Sequence, residues 1–423
     1  MRACADWESG KAIDSRQCAE AVKQGIMVPD MRGGFREACT ALELVQRDRG
    51  GMLFSPSVGL HENVGCLDFE SMFPNIIVNR NVSYETVSDE DTGKPGFMGC
   101  FTAPFLDRRL RFKHMRDGFP VGSREWLWCQ QRQSALKLML VVIYGYSGCY
   151  ANRFANVRVF REINRQARDA MVRALNISLE NGFNVVYGDT DSIFTKKPGA
   201  TERDYRDLAS TISEATGFPM GLDRHFRFLV LLNKATDPKT VATRRYYGKL
   251  YNGELFYRGL ELRRRDTPPY IKDLQEEMIR TLLDADNAYQ VLNQQLEEAI
   301  SLAEEAYNNI LYGSVDPSRL VISKRLRRKV EEYKSRQPHI VAAMLNQGNE
   351  SEASYVFVNT ERENPFKRVM PASRIDEGHK AYDRGKYAER VRRAAWTLLR
   401  PFIPEESRIG GEALRESRLD TFS

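Results

Sequence analysis

The stretch NVVYGDTDSIF, residues 184–194, sets two carboxylates one residue apart inside an apolar, β-branched run. Val185, Val186, Tyr187, Ile193 and Phe194 belong in a buried sheet. In an extended run, side chains alternate faces, so Asp189 and Asp191 share one face and Thr190 takes the other. Like charges on a shared face repel unless a cation lies between them. The spacing therefore predicts a sheet edge that holds a divalent metal ion. The alternative is that each carboxylate caps a turn or pairs with one of the chain's 63 Lys and Arg side chains.

The surrounding pattern gives this edge a frame. NVGCLDFESMFPNIIV reads as a buried strand ending near Asp68, with a turn at Pro74. Helices are expected over about 104–117 and 123–144, with GFPVG between them, so the two form an antiparallel hairpin. A third, over about 158–181, stops at Asn181-Gly182 and leads directly into the acidic stretch. Strands follow around FRFLVLL, RRYYGKLY and GELFYRGLEL, the last two joined at Asn252-Gly253. From Leu274 to about Leu311 the apolar stripe predicts one long amphipathic helix, stopped by Gly313. Basic helices and short strands come next, then a tail after Gly410-Gly411.

Composition excludes several classes. The 423 residues suffice for two to four folding units, and no apolar run is long enough to span a membrane. Charges occupy the start of the chain where a signal peptide needs an apolar stretch, so secretion is not expected. The seven cysteines form no CxxC pair, which argues against structural zinc and for reduced thiols in the cytoplasm. Net charge is +6, a modest excess that either aids solubility alone or, concentrated at SKRLRRK and LRRRD, offers places for polyanions to dock.

Asp68 joins Asp189 and Asp191 as a third carboxylate at a strand end. Three such groups can hold two Mg²⁺ ions together with substrate phosphates. Two ions about 3.5–4 Å apart clamp the attacking and leaving oxygens of a phosphoryl displacement. On the first hairpin helix, Arg109 and Lys113 are four apart and share a face, either a phosphate patch or a solvated surface. On the second, Gln133, Lys137, Val141 and Tyr144 follow one stripe.

LDFESMFPNII, RQSALKLMLVVIYGYSG and YGDTDS, in that order, resemble the three signature motifs of family B DNA polymerases, most closely the archaeal branch. GGMLFSPSVGLHENV is similar to the lead-in to the first motif, TRRYYGKL and RGLELRRRDTPP to the primer-gripping strands, and DPSRLVISKRL…YKSRQPHIVAA to the thumb. The resemblance implies an α+β fold, a right-hand polymerase core with an antiparallel-sheet palm, helical-hairpin fingers and a mostly helical thumb. On that basis residues 1–100 and 156–270 are palm, 101–155 fingers, 271–409 thumb and 410–423 a flexible tail.

It also implies roles. Asp68 and Asp191 match the metal-binding aspartates, with the Phe69 carbonyl as a further ligand, and Asp189 matches the nearby third carboxylate. Two Mg²⁺ ions are the expected cofactors, with Mn²⁺ as a substitute. Ser71 and Met72 match positions that offer backbone amides to a triphosphate. Phe73 stands where an aromatic packs under the sugar and excludes a 2′-hydroxyl. Arg109, Lys113 and Lys137 match phosphate-binding cations, and Tyr144 the tyrosine beside the nascent base pair. Arg244, Arg245 and Tyr246 match the primer grip, and Arg264 and Arg265 lie within reach of template phosphates, as do Lys324, Arg327 and Arg328 if not on a solvated helix face. Primed template DNA and dNTPs are the implied partners, and the implied location is the cytoplasm, at the nucleoid. The tail ESRLDTFS resembles a sliding-clamp-binding box through Leu419 and Phe422, or is a plain disordered terminus.

Two departures qualify the resemblance. Val141 and Val142 replace an asparagine and a serine of the second motif, removing hydrogen-bonding groups beside the nucleotide. Only about 67 residues precede Asp68, too few for the family's N-terminal and proofreading exonuclease domains, so a separate exonuclease or accessory subunit is a candidate partner. Asp68-Phe69-Glu70 and Tyr187–Asp191 do spell exonuclease-style D-x-E and Y-x-x-x-D. The second belongs on a helix in such nucleases, however, whereas Val185 and Val186 make it a strand. The alternative function is a catalytically weak or inactive DNA-binding scaffold of a replication or repair assembly.

Overall fold

The computed structural model describes residues 9–30, 53–54, 57–87, 94–149, 152–234, 240–346, 351–375 and 381–403. The chain divides into two compact units, residues 1–54 with 65–223, and residues 55–64 with 224–423.

The first unit is built around the acidic hairpin. Strands β1 (Leu53–Phe54), β3 (Asn184–Asp189) and β4 (Ser192–Lys196) pair antiparallel in the order β1-β3-β4. Strand β2 (Gly59–Phe69) enters this unit at residue 65, and its last residue donates its N–H to the Asp191 carbonyl at 2.9 Å. Asp189 faces Ser192 in register, so Thr190 and Asp191 form the hairpin turn, with Thr190 left-handed at φ 57°. The expectation that both aspartates lie along one strand face is therefore corrected. The chain reverses between them, because residue 190 takes a turn conformation that a continuous strand does not contain.

Helices surround the hairpin. After α1 (Ser9–Lys23) and β2 comes α2 (Met72–Asn79), where a turn at Pro74 was expected. Pro74 sits in the first helical turn, where its missing N–H has no partner to lose. Next are α3 (Phe97–Asp117) and α4 (Arg124–Ser147), joined by a short Gly118–Ser123 connection. Helix α3 begins before Pro104 because its start is capped from outside. The Glu85 carboxylate accepts from the Phe97 N–H, and Ser83 Oγ from the Met98 N–H at 2.8 Å. Phe112 and Trp128 meet edge to face at 5.3 Å across the hairpin. Helix α5 (Val157–Glu180) is capped by Asn156 and ends before Gly182 at φ 75°, and α6 (Glu202–Thr216) starts at a Thr201–Asp204 capping box. Leu67, Phe69, Met72, Ile76, Ile163, Ala174 and Tyr205 are among the side chains of this unit's core.

The second unit carries its own core. Strands β5 (Met220–Asn233, from residue 224 onward), β6 (Val241–Leu250) and β7 (Leu255–Arg258) pair antiparallel, with Gly253 at φ 86° in the β6–β7 turn. The single helix expected over 274–311 is two. Helix α7 (Pro269–Leu282) stops, and a helical turn at Ala288–Gln290 leads through a wide π turn (Val291–Gln295) into α8 (Leu296–Tyr312). The break has a cause in its side chains. Asp284 pairs with Lys249 at 3.2 Å, Asp286 with Arg227 at 3.0 Å, and Asn287 caps the new helix by accepting from the Gln290 N–H. Strand β8 (Ile322–Arg325), helix α9 (Pro338–Leu345), strands β9 (Glu352–Phe357) and β10 (Val369–Pro371) and helix α10 (Arg384–Leu399) follow, and the strands pair in the order β10-β9-β8. Lys324 thus lies on a strand, with Arg327 and Arg328 just beyond it, so a solvated helix face is not their setting.

Candidate active site

Asp68 is the penultimate residue of β2, half-buried between the fully buried Leu67 and Phe69. The strand's alternation sends the apolar pair into the core and leaves the carboxylate on the open side. The Phe69–Asp191 backbone bond brings the hairpin turn to the same place. Asp68, Phe69 and Asp191 all line a cavity of about 390 Å³ in the first unit. Asp189 does not line it. That side chain is 4% exposed, and the Thr190 hydroxyl donates to its Oδ1 at 3.1 Å. Among the described residues, no three His, Cys, Asp or Glu side chains stand close enough together to enclose a metal ion. The fit is instead to Mg²⁺, which takes one or two carboxylates and completes its shell with water and substrate phosphates. Asp68 and Asp191 on an open wall are hard oxygen donors of that kind.

The floor of the cavity comes from the β2–α2 corner. Ser71 turns the chain in the left-handed region at φ 54°, after which Met72, Phe73 and Pro74 open α2 against the cavity. The corner is fixed at both sides. The Glu70 N–H donates to the Pro219 carbonyl at 2.8 Å, and Asn75 Nδ2 donates to the Glu70 carbonyl at 2.6 Å.

The helical hairpin contributes cations to the lining. Arg109 and Lys113 on α3 and Lys137 on α4 all line the cavity, with Val141 one turn beyond Lys137. Arg109 is 9% exposed and donates through Nη1 to Ser71 Oγ. Burial pushes its guanidinium below the ordinary arginine range, opposed by the charges of Glu70 and Asp68. Its Nε is buried with no hydrogen-bond partner among the described residues. Lys113 is paired with the Glu70 carboxylate.

Tyr144 is not part of the cavity wall. Its ring stacks on Phe73 at 4.2 Å between centroids and 10° between planes, and on Phe160 at 5.1 Å, while its hydroxyl donates to Asn164 Oδ1 at 2.7 Å. Tyr144 thus supports Phe73, and Phe73 reaches the cavity.

The basic residues expected at nucleic acid lie in the second unit. Arg244 is exposed on β6 and left-handed at φ 57°, while Tyr246 is buried against Phe256. Arg245 is bound to its own fold, by the Gly259 carbonyl and by Glu261 at 3.0 Å. Arg264 is held by both oxygens of Asp266 at 3.0 Å, and Arg265 is exposed. Leu419 and Phe422 lie outside the described residues.

Two cavity carboxylates escaped the sequence reading, Glu70 and Asp223. Glu70 was visible only as the end of D-x-E, and its pairing with Lys113 depends on a partner across the fold. Asp223 enters through residues 219–223, which the Glu70–Pro219 bond brings alongside, and nothing local in MGLDRHF signals that.

Comparison with known proteins adds a family. The profile of DNA polymerase family B matches residues 11–100 and 91–398. The chain is 28% identical to the DNA polymerase of Archaeoglobus fulgidus over 79% of this chain and 41% of that protein. It is 28% identical to DNA polymerase 2 of Aeropyrum pernix over 97% of this chain and 51% of that protein. The chain therefore spans about half, or less, of the length of these curated relatives. The structure shares the fold of the family B DNA polymerase from Pyrobaculum calidifontis, with a TM-score of 0.64 and 24% identity over 93% of this chain and 51% of that one.

Proposed function

The chain belongs to DNA polymerase family B, and from that premise we propose that it extends a primer 3′-hydroxyl with deoxynucleotides chosen by a DNA template. The observation that carries this reading is one cavity lined both by the carboxylates of Asp68 and Asp191 and by the cations Arg109, Lys113 and Lys137. A nucleoside triphosphate needs both, with metal-binding carboxylates at the α-phosphate and cations along the β- and γ-phosphates.

In this reading the sheets carrying the carboxylates and Arg244–Tyr246 are palm, the α3–α4 hairpin is fingers, and the region after about residue 270 is thumb. Mg²⁺, or Mn²⁺ in its place, bound by the Asp68 and Asp191 carboxylates and the Phe69 carbonyl, supplies Lewis acidity to the phosphate and lowers the pKa of the primer hydroxyl. Asp189, withdrawn from the wall, positions the hairpin turn rather than meeting substrate. Arg109, with its orphaned Nε, and Lys137 draw the triphosphate against the β2–α2 corner, where the amides of Ser71 and Met72 receive it. Phe73, braced by Tyr144, forms the surface under the sugar. Arg244 and Arg265 position the duplex through its phosphates without reading sequence, while Arg264 stays with Asp266. The setting is the nucleoid, and any clamp contact belongs to Leu419 and Phe422.

Primer extension with Mg²⁺ and all four dNTPs, beside Asp191→Ala, tests the reading. Extension by the intact chain that disappears in the variant supports it. Tight binding of primed DNA with no extension overturns it in favour of a scaffold.

A further inference from the structure

The Glu70–Lys113 pair sits in the lining of the cavity that also holds Arg109 and Lys137. Glu70 is held where it is by its backbone, through Pro219 on one side and Asn75 on the other. The corner is thus held in place, and the pair separates by movement of the two side chains. Both side chains are partly open to the cavity, at 22% and 35% exposure, so a ligand can reach between them. Arg109 differs in that its hydrogen bond is to the neutral Ser71 hydroxyl, with Glu70 and Asp68 acting on it through charge. One carboxylate thus occupies one of the positions that a phosphate oxygen takes.

Resting on the reading of this cavity as a nucleotide site, we propose that Glu70 is an internal competitor for Lys113 that sets the cavity's affinity for polyphosphate. An incoming triphosphate exchanges with the Glu70 carboxylate on Lys113, and the carboxylate returns when pyrophosphate leaves. The same exchange weakens substrate capture and eases product release. The exchange acts most strongly on anions that reach Lys113, and Arg109 feels the same carboxylate only through its charge. Glu70 acts through Lys113 and is a positioning residue, not a catalytic one.

Inorganic tripolyphosphate binding, measured by calorimetry on the full chain, separates the outcomes. Glu70→Gln is expected to tighten binding about two- to fivefold and to lower the KM for dNTP by a similar factor while kcat does not rise. In a Lys113→Ala background the same substitution is expected to have a clearly smaller effect on both values, the part that the Glu70 charge exerts on Arg109. Glu70→Ala serves as a second variant that leaves no amide to replace the carboxylate. Unaltered tripolyphosphate affinity in both Glu70 variants, with binding still lost in Lys137→Ala, overturns the proposal and leaves the nucleotide site standing. A tightening that is undiminished without Lys113 also overturns it. Tripolyphosphate binding indifferent to both Lys113→Ala and Lys137→Ala overturns the nucleotide site itself, and the proposal with it.

Discussion

Val141 lines the cavity with 55% of its surface exposed, an apolar side chain one helical turn from Lys137. It can neither donate nor accept a hydrogen bond, so a nucleotide beside it loses a contact that an amide would make. Val141→Asn is expected to lower the KM for dNTP by about two- to fivefold, the value of one modest hydrogen bond, in steady-state primer extension. No gain in efficiency would refute that role. Phe73 is the second side chain whose position makes a claim, because Tyr144 stacks flat behind it and keeps the ring from retreating. Phe73→Ala is expected to raise ribonucleotide use relative to deoxyribonucleotide use by about tenfold, read as a ratio of kcat/KM values. An unchanged ratio would reduce Phe73 to core packing. Asp68, Asp191 and Lys137 were legible because each stands in a local pattern. Glu70 was not, because its meaning comes from Lys113 on a helix that local sequence cannot bring to it.

At the scale of elements, the strands, the helical hairpin and their connections followed from apolar periodicity and from Gly, Asn and Pro at the turns. The errors fell where side chains from elsewhere override local preference. Asp284 and Asp286 are drawn to Lys249 and Arg227 on β6 and β5, which ends a helix that periodicity would continue. Glu85 and Ser83 cap α3 from outside and let it start ahead of a proline. Strand β2 also depends on close packing that periodicity does not report. A Cβ added at Gly65 would stand 2.3 Å from the buried Tyr205 ring on α6. Gly65→Ala is expected to cost about 1–3 kcal/mol, as overpacking of a filled core does, and to lower the Tm in calorimetry. A melting point equal to that of the parent would mean that α6 yields freely.

At the scale of the molecule, each unit buries its own apolar core, so the acidic hairpin and the basic strands can be judged separately. The +6 net charge predicts polyanion binding but not where it occurs. Pairing decides that. Arg264 is already neutralised by Asp266, whereas Arg265 is exposed. Affinity for primed DNA is expected to fall linearly in log–log form as salt rises. Arg265→Ala is expected to reduce the slope by about one, while Arg264→Ala leaves it nearly as it was. Equal effects from the two substitutions, in a fluorescence-anisotropy salt titration, would show that the Asp266 pair opens on binding.

The bond between Phe69 and Asp191 also sets an order in time. A ribosome delivers Asp68 early, then both hairpin helices and α5, and only afterwards Asp191. A nascent or truncated chain that stops short of β3 has no partner for the end of β2. Such a chain cannot assemble the two-carboxylate wall, however well its finished portion folds.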